Sequence, residues 1–200
     1  MTATTIPRGA VTITRRQAHD ADACVEDTRR VLNYLRARDG RIPRMDQRIS
    51  LQDVADVLGV DGVVWCLVAV GGHDGLLRRF ACVCARRALR RAGVRDPRSW
   101  RAVRVAWWYA HGWATEEDLD AAWDAARSAA RGVAGDAAWA AAWAVARGAA
   151  RDTAWAAAWA VARGAACGAV WDASWAAAWN AEREAQRLLL LSMSGCGGEA

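Results

Sequence analysis

Over most of the chain, apolar residues recur at three- and four-residue steps, the period of a helix buried along one side. Ala21, Cys24, Val25, Thr28, Val31, Leu32 and Leu35 form such a stripe, which predicts a helix from about Asp20 to Arg38, stopped by Asp39-Gly40. Pro43 falls in a connector. Ser50, with Asp53 three residues on, opens a second helix as a variant capping box. Its apolar face is Leu51, Val54, Ala55 and Leu58, and Gly59 ends it. Residues 61–70 are almost wholly apolar and predict a short buried helix or a strand. A further helix covers about Gly75 to Arg91, ended by Gly93 and Pro97, and another runs from Ser99 to His111, closed by Gly112. Thr115 followed by Glu116, Glu117 and Asp118 starts the next, because acids in a first turn meet the positive end of the helix.

From about Asp120 to Leu191 the pattern changes. Every fourth position from Trp123 is a tryptophan or an arginine, with Gly135 and Cys167 the exceptions, and most of the intervening residues are small. The unit is about sixteen residues, as in AAWAAAWAVARGAARD followed by TAWAAAWAVARGAACG. Alanine is the best helix former, so this region is predicted helical, with its natural break at Gly132 to Gly135. Each four-residue step advances the stripe by ~40° around a straight helix, so the tryptophans wind around it and more than one face must be covered. Trp123, Trp139, Trp143, Trp155, Trp159, Trp171, Trp175 and Trp179 then read as structural anchors among alanine-lined helices. Arginine stems cover ring faces four residues on, as in Trp143–Arg147. The competing use of such an array is base stacking on single-stranded nucleic acid.

These patterns predict an all-α protein: a helical bundle with a long Ala/Trp-rich C-terminal helix, or a helical hairpin, carrying the repeat. Residues 1–15 are expected to be a flexible N-terminus and 193–200 a flexible tail. A single helical domain is expected over 16–192, ordinary to residue 112 and repetitive from 113.

Composition sharpens the picture at few points. The 200 residues include 48 alanines and 13 tryptophans but one phenylalanine and two tyrosines, so side chains are very small or very large. Three prolines and 24% charged residues exclude a disordered or collagen-like polymer. All 27 basic residues are arginine. The net charge of +5 is uneven, +7 over residues 1–98 and −2 over 99–200, which makes the repeat a poor polyanion groove. No N-terminal apolar stretch resembles a signal peptide, and the longest apolar run, Val63 to Val70, is far short of the ~20 residues a spanning helix needs. A cytoplasmic protein without membrane contact is expected.

Cys24, Cys66, Cys82, Cys84, Cys167 and Cys196 make no metal-binding spacing, and Cys82 and Cys84 point ~200° apart on a helix. Most read as small buried thiols, with Cys196 exposed and free in the tail. His19, His73 and His111 belong to no catalytic motif, and no phosphate-cradling loop with lysine exists. A non-enzymatic protein with no cofactor and no metal is therefore expected. Leu51 to Val60 resembles the opening of a DNA-binding helix-turn-helix, yet the helix that would read bases is DGVVWCLVAV, which belongs in a core. The sharpest binding candidate is the segment Arg78 to Arg98, where Arg78, Arg79, Arg86, Arg87, Arg90 and Arg91 face a single acid, Asp96. Such a face grips phosphates or an acidic protein, unless it is a solvated surface neutralised by Glu116, Glu117, Asp118 and Asp120.

The segments RRFACVCARRAL, DPRSWRAVRVAWWYAHGWATEEDLDAAWDAA and WNAEREAQRLLLL, together with the repeats, resemble the alanine- and tryptophan-rich immunity proteins (type-five-like) of bacteria and phages. The similarity covers roughly residues 12–192. It implies an all-helical domain that neutralises a toxin, or protects a host or phage as a counter-defence factor, by occluding a protein target; it carries over no catalytic residues. Two alternatives stand beside it. One is a nucleic-acid-binding protein using the arginine helix and the Trp/Arg array; the other is a structural or self-assembling helical protein in which the winding stripe pairs between chains as a homo-oligomer.

Overall fold

A computed structural model describes residues 10–130, 158 and 171–196, with the side chains of 129–130 and 171–175 left aside. The protein is all-α, with seven helices among the described residues and one two-stranded ribbon. Its elements are β1 (Thr12–Thr14), α1 (Arg15–Asp20), α2 (Val25–Asp39), β2 (Arg48–Ser50), α3 (Leu51–Val70), α4 (Asp74–Arg91), α5 (Pro97–Ala110), α6 (Glu116–Ala130) and α7 (Trp171–Met193). They divide into two compact units. The first comprises 1–73 with 187–200, and the second 74–186.

In the first unit, β1 and β2 pair antiparallel, with Ile13 opposite Ile49 and both buried. The short β-branched run Thr12-Ile13-Thr14 thus forms a strand within the segment expected to be flexible. Thr14 then caps α1 in a reciprocal box with Gln17. The single helix expected from Asp20 to Arg38 is broken: α1 stops at Asp20, Asp22 takes a left-handed turn (φ 53°), and Cys24 is the exposed N-cap of α2. An aspartate tolerates that conformation, and Ala23 N–H closes the turn on the Ala18 carbonyl at 2.9 Å. Arg15 donates to the Pro43 carbonyl (2.9 Å) and Arg16 pairs with Asp46 (2.7 Å), which ties α1 to the connector before β2.

Only half of the expected capping box forms. Ser50 accepts the Asp53 N–H at 3.0 Å, while the Asp53 carboxylate turns to Arg38 of α2 instead of to the Ser50 N–H. Gly59 does not end the helix but kinks it, with φ 67° and ψ −158°, values that a side chain would disfavour. After the kink the chain resumes as helix through Val70, so residues 61–70 are helix and not strand. The kink folds Leu58 onto Gly62 so closely that an added Cβ would sit 2.5 Å from the Leu58 Cβ. Val60, Val63, Val64, Cys66 and Leu67 are buried, as are Val31 and Leu35 on α2, which packs against α3, and Leu190 and Leu191 at the end of α7. The apolar helix that could have read DNA bases is therefore core.

In the second unit, α4, α5 and α6 pack in sequence order. Asp96 caps α5 by accepting the Arg98 N–H, and Pro97 occupies its first turn, where a missing N–H costs nothing. Thr115 and Asp118 exchange hydrogen bonds at the start of α6, with the aspartate in the role usually taken by glutamate. The facing sides of the helices are small: Ala81, Ala85 and Ala88 on α4, Ala102 and Ala106 on α5, Ala122 and Ala126 on α6, all buried. Phe80, the one phenylalanine, is fully enclosed among them.

Candidate functional site

The arginine helix is not one face. On α4 the side chains of Arg87 and Arg91 donate to the same oxygen of Glu182 on α7, at 3.1 and 2.8 Å. The Glu182 side chain is 0% exposed, and its other oxygen accepts from Gln186 at 3.4 Å. These two arginines are thus engaged in satisfying a buried carboxylate, and the acid they meet lies on α7, outside the expected stretch 116–120. Arg78 is half-buried, with its guanidinium 4.8 Å from the Tyr109 ring centroid. Arg79 is half-buried too, whereas Arg86 and Arg90 are exposed. Among the described residues, neither Arg86 nor Arg90 forms an ion pair.

Three exposed tryptophans cluster at the end of α5 and in the turn after it. Trp107 and Trp108 on α5 and Trp113 in the following turn are all exposed, Trp113 at 71%. His111 lies between two of them, its ring 4.8 Å from that of Trp107 and 5.0 Å from that of Trp113. Its Nδ1 is 2.8 Å from the Trp107 carbonyl, which fixes the ring in that position. Arg104 covers the Trp108 ring at 5.5 Å. This aromatic cluster is encoded in WRAVRVAWWYAHGW, and the signal that could have found it is its helical spacing: Trp100, Arg104 and Trp107 share one stripe of α5.

Between that stripe and α4 lies an open cleft of about 280 Å³, lined by Cys82, Val83, Arg86, Trp100, Val103, Arg104 and Trp107. The Trp100 indole N–H is fixed by the Val94 carbonyl at 2.8 Å. At the cleft floor, burial pushes the Cys82 thiol up to about 12, so it stays protonated and non-nucleophilic at neutral pH. Burial does the same to Cys66, also up to about 12, and to Cys84, where the nearby Glu182 charge adds to it. Cys196 is half-buried, its thiol 3.5 Å from the Val11 carbonyl, and so is not the exposed tail thiol that was expected. Cys167 lies outside the described residues. Among the described residues, no three potential ligands cluster around a metal position, and no helix is long and apolar enough to cross a membrane.

Of the repeat tryptophans, Trp123 on α6 and Trp179 on α7 are half-buried, and Arg183 lies over the Trp179 ring at 5.9 Å, the expected four-residue pairing. Trp171 and Trp175 fall on α7 with their side chains undescribed. Trp139, Trp143, Trp155 and Trp159 lie outside the described residues, as does the choice between one long helix and a hairpin. No protein-family model, curated protein or solved structure matches the chain.

Proposed function

We propose that the chain is a non-enzymatic binding protein that occludes a protein target in the cytoplasm, with the outer face of α4 and α5 as its docking surface. One observation carries the reading. Arg86 and Arg104 line one cleft with Trp100 and Trp107, and Trp108 and Trp113 join that region through Arg104 and His111. Tryptophan and arginine are the residues that dominate binding energy at protein interfaces, and exposed aromatics clustered on a surface mark contact sites. The resemblance to the immunity proteins supplies the kind of role: neutralising a toxin or a defence component by covering its working surface. The test is co-expression with each product of the adjacent genes. Relief of a growth defect, a complex that survives size exclusion, and loss of both in the Trp108→Ala/Trp113→Ala variant support the reading. A full set of neighbours with no defect relieved and no complex formed overturns it.

A second reading, binding of single-stranded nucleic acid, draws on the Trp107–His111–Trp113 cluster, which offers exposed ring faces beside cationic side chains. Affinity for a thymidine oligonucleotide that falls steeply between low and moderate salt, with tryptophan quenching, is its signature. Absence of binding at low salt removes it.

A further inference from the structure

We infer that the cleft between α4 and α5 is a receptor for an acidic peptide segment of the target, seating one apolar side chain against Trp100, Val103 and Trp107 while flanking carboxylates reach Arg86 and Arg104. The inference rests on the protein-binding reading above and adds the chemistry of what is bound.

Three observations converge on it. The first is size. At about 280 Å³ the cleft falls just below the ~300–1,000 Å³ usual for small-molecule and cofactor sites, and it is open along one side. It suits one or two side chains of a larger body better than a free ligand. The second is the lining. Cys82, Val83 and Val103 are apolar and two indoles, both on α5, complete the apolar lining, so an aliphatic or aromatic side chain is the complementary occupant. A stacking nucleobase would want a flat platform instead. The third is charge. Arg86 stands on one wall and Arg104 on the other, no lining residue is acidic, and neither arginine is ion-paired among the described residues. Arg87 and Arg91, one position further round α4, are spent on Glu182. Arg104 rests one face on the Trp108 ring, which leaves its N–H edge for a carboxylate, so two cations flank an apolar slot and match carboxylates on either side of an apolar side chain.

The experiment uses fluorescence anisotropy of short labelled peptides with the full chain. The probe is an acidic peptide with a central leucine or phenylalanine. The controls are the same peptide with central alanine, a version with lysines in place of its acids, and a thymidine oligonucleotide as competitor. The acidic apolar peptide is expected to bind, and to weaken about tenfold with central alanine, the fold-change for losing one buried side chain. It should also weaken at least tenfold in R86Q/R104Q, a variant of exposed side chains whose folding is checked by circular dichroism. Absence of peptide binding at millimolar concentration, equal binding of the lysine peptide, or undiminished binding by R86Q/R104Q overturns the inference. So does displacement of the peptide by the oligonucleotide at lower concentration, which assigns the cleft to nucleic acid. A target still neutralised by R86Q/R104Q overturns the cleft assignment and leaves the occlusion reading standing. A failure of co-expression to relieve any defect strikes the occlusion reading alone.

Discussion

Arg87 and Arg91 look expendable in sequence, since an exposed arginine run ordinarily contributes little to stability. The structure reverses that expectation for these two. Glu182 is wholly enclosed, and both of its charged partners come from α4. In R87Q/R91Q the carboxylate keeps the 3.4 Å contact from the Gln186 amide but loses both guanidinium partners, and a buried charge is stranded. Breaking a buried pair by removing its partners costs about 3–5 kcal/mol. Arg87 is 30% exposed and Arg91 52%, so water relieves part of this and the lower end of that range applies. For a chain of this length such a loss lowers the melting temperature by roughly 10 °C.

The assay is urea unfolding followed by far-UV circular dichroism, with R86Q/R90Q as the matched control on the same helix. The control should lie within about 0.5 kcal/mol of the parent. Glu182→Leu completes the cycle. In that background R87Q/R91Q should cost little, because no buried charge remains to be stranded. Equal stability of R87Q/R91Q and R86Q/R90Q would refute the argument, and so would an unchanged cost of R87Q/R91Q in the Glu182→Leu background.

Gly62→Ala should destabilise by about 1–3 kcal/mol through overpacking, since the new Cβ meets the Leu58 Cβ at 2.5 Å; a neutral result in urea unfolding contradicts the kink geometry. Gly59→Ala should cost about 1–3 kcal/mol for a different reason, backbone strain at φ 67°, and the two costs should not add fully because both act on one bend. Iodoacetamide at pH 8, read site by site by mass spectrometry, should modify exposed Cys24 while Cys66, Cys82 and Cys84 react only after unfolding; native-state labelling of Cys82 would contradict its burial at the cleft floor. Asp39 beside Arg38, Asp46 beside Arg16, Asp96 beside Arg98 and Asp118 at the Thr115 hydroxyl and N–H are all held below the usual carboxylate range. Their folded values lie below their unfolded ones, so this stabilisation is present above about pH 4 and is lost as pH falls through the folded values. The melting temperature should decline on acidification below pH 4, and a flat profile from pH 5 to pH 2 would rule that out.

What was legible in the sequence was set by the range of the interactions. Helix starts and stops are local, so Ser50, Thr115, Gly40 and Gly112 mark real boundaries, whereas the helix expected to open at Ser99 starts at Pro97 behind an Asp96 cap. The errors occurred where a local pattern was shared by two conformations. Ala21 and Cys24 keep helical spacing with Val25 and Thr28, yet they sit in a turn, because the helical period says nothing about whether Asp22 leaves the helical region. Glycine at 59 reads as a stop in any local scheme, whereas the apolar residues beyond it gain more from burial with Val31 and Leu35 than a kink costs. Three-residue strands fall below any periodicity test.

The binding face illustrates the same limit in the opposite direction. An arginine count over 78–98 treats eight cations as equivalent, and only the fold separates them. Glu182 lies 95 residues from Arg87, in a segment whose own pattern, WNAEREAQ, gives no hint that its first glutamate is enclosed. Once that acid takes Arg87 and Arg91, Arg86 remains on the side of α5, where it lines the cleft with Trp100 and Trp107, which stand about two helical turns apart. Helical phase forces this outcome. Arg86 and Arg87 are separated by ~100° around the axis, so a helix that presents one to a buried partner must present the other to its flank. The run of paired arginines in RRFACVCARRALRR therefore serves two surfaces at once, a structural one on α7 and a free one beside the cleft. Substitutions that spare Arg87 and Arg91 while removing Arg86 and Arg104 are the ones that separate binding from folding.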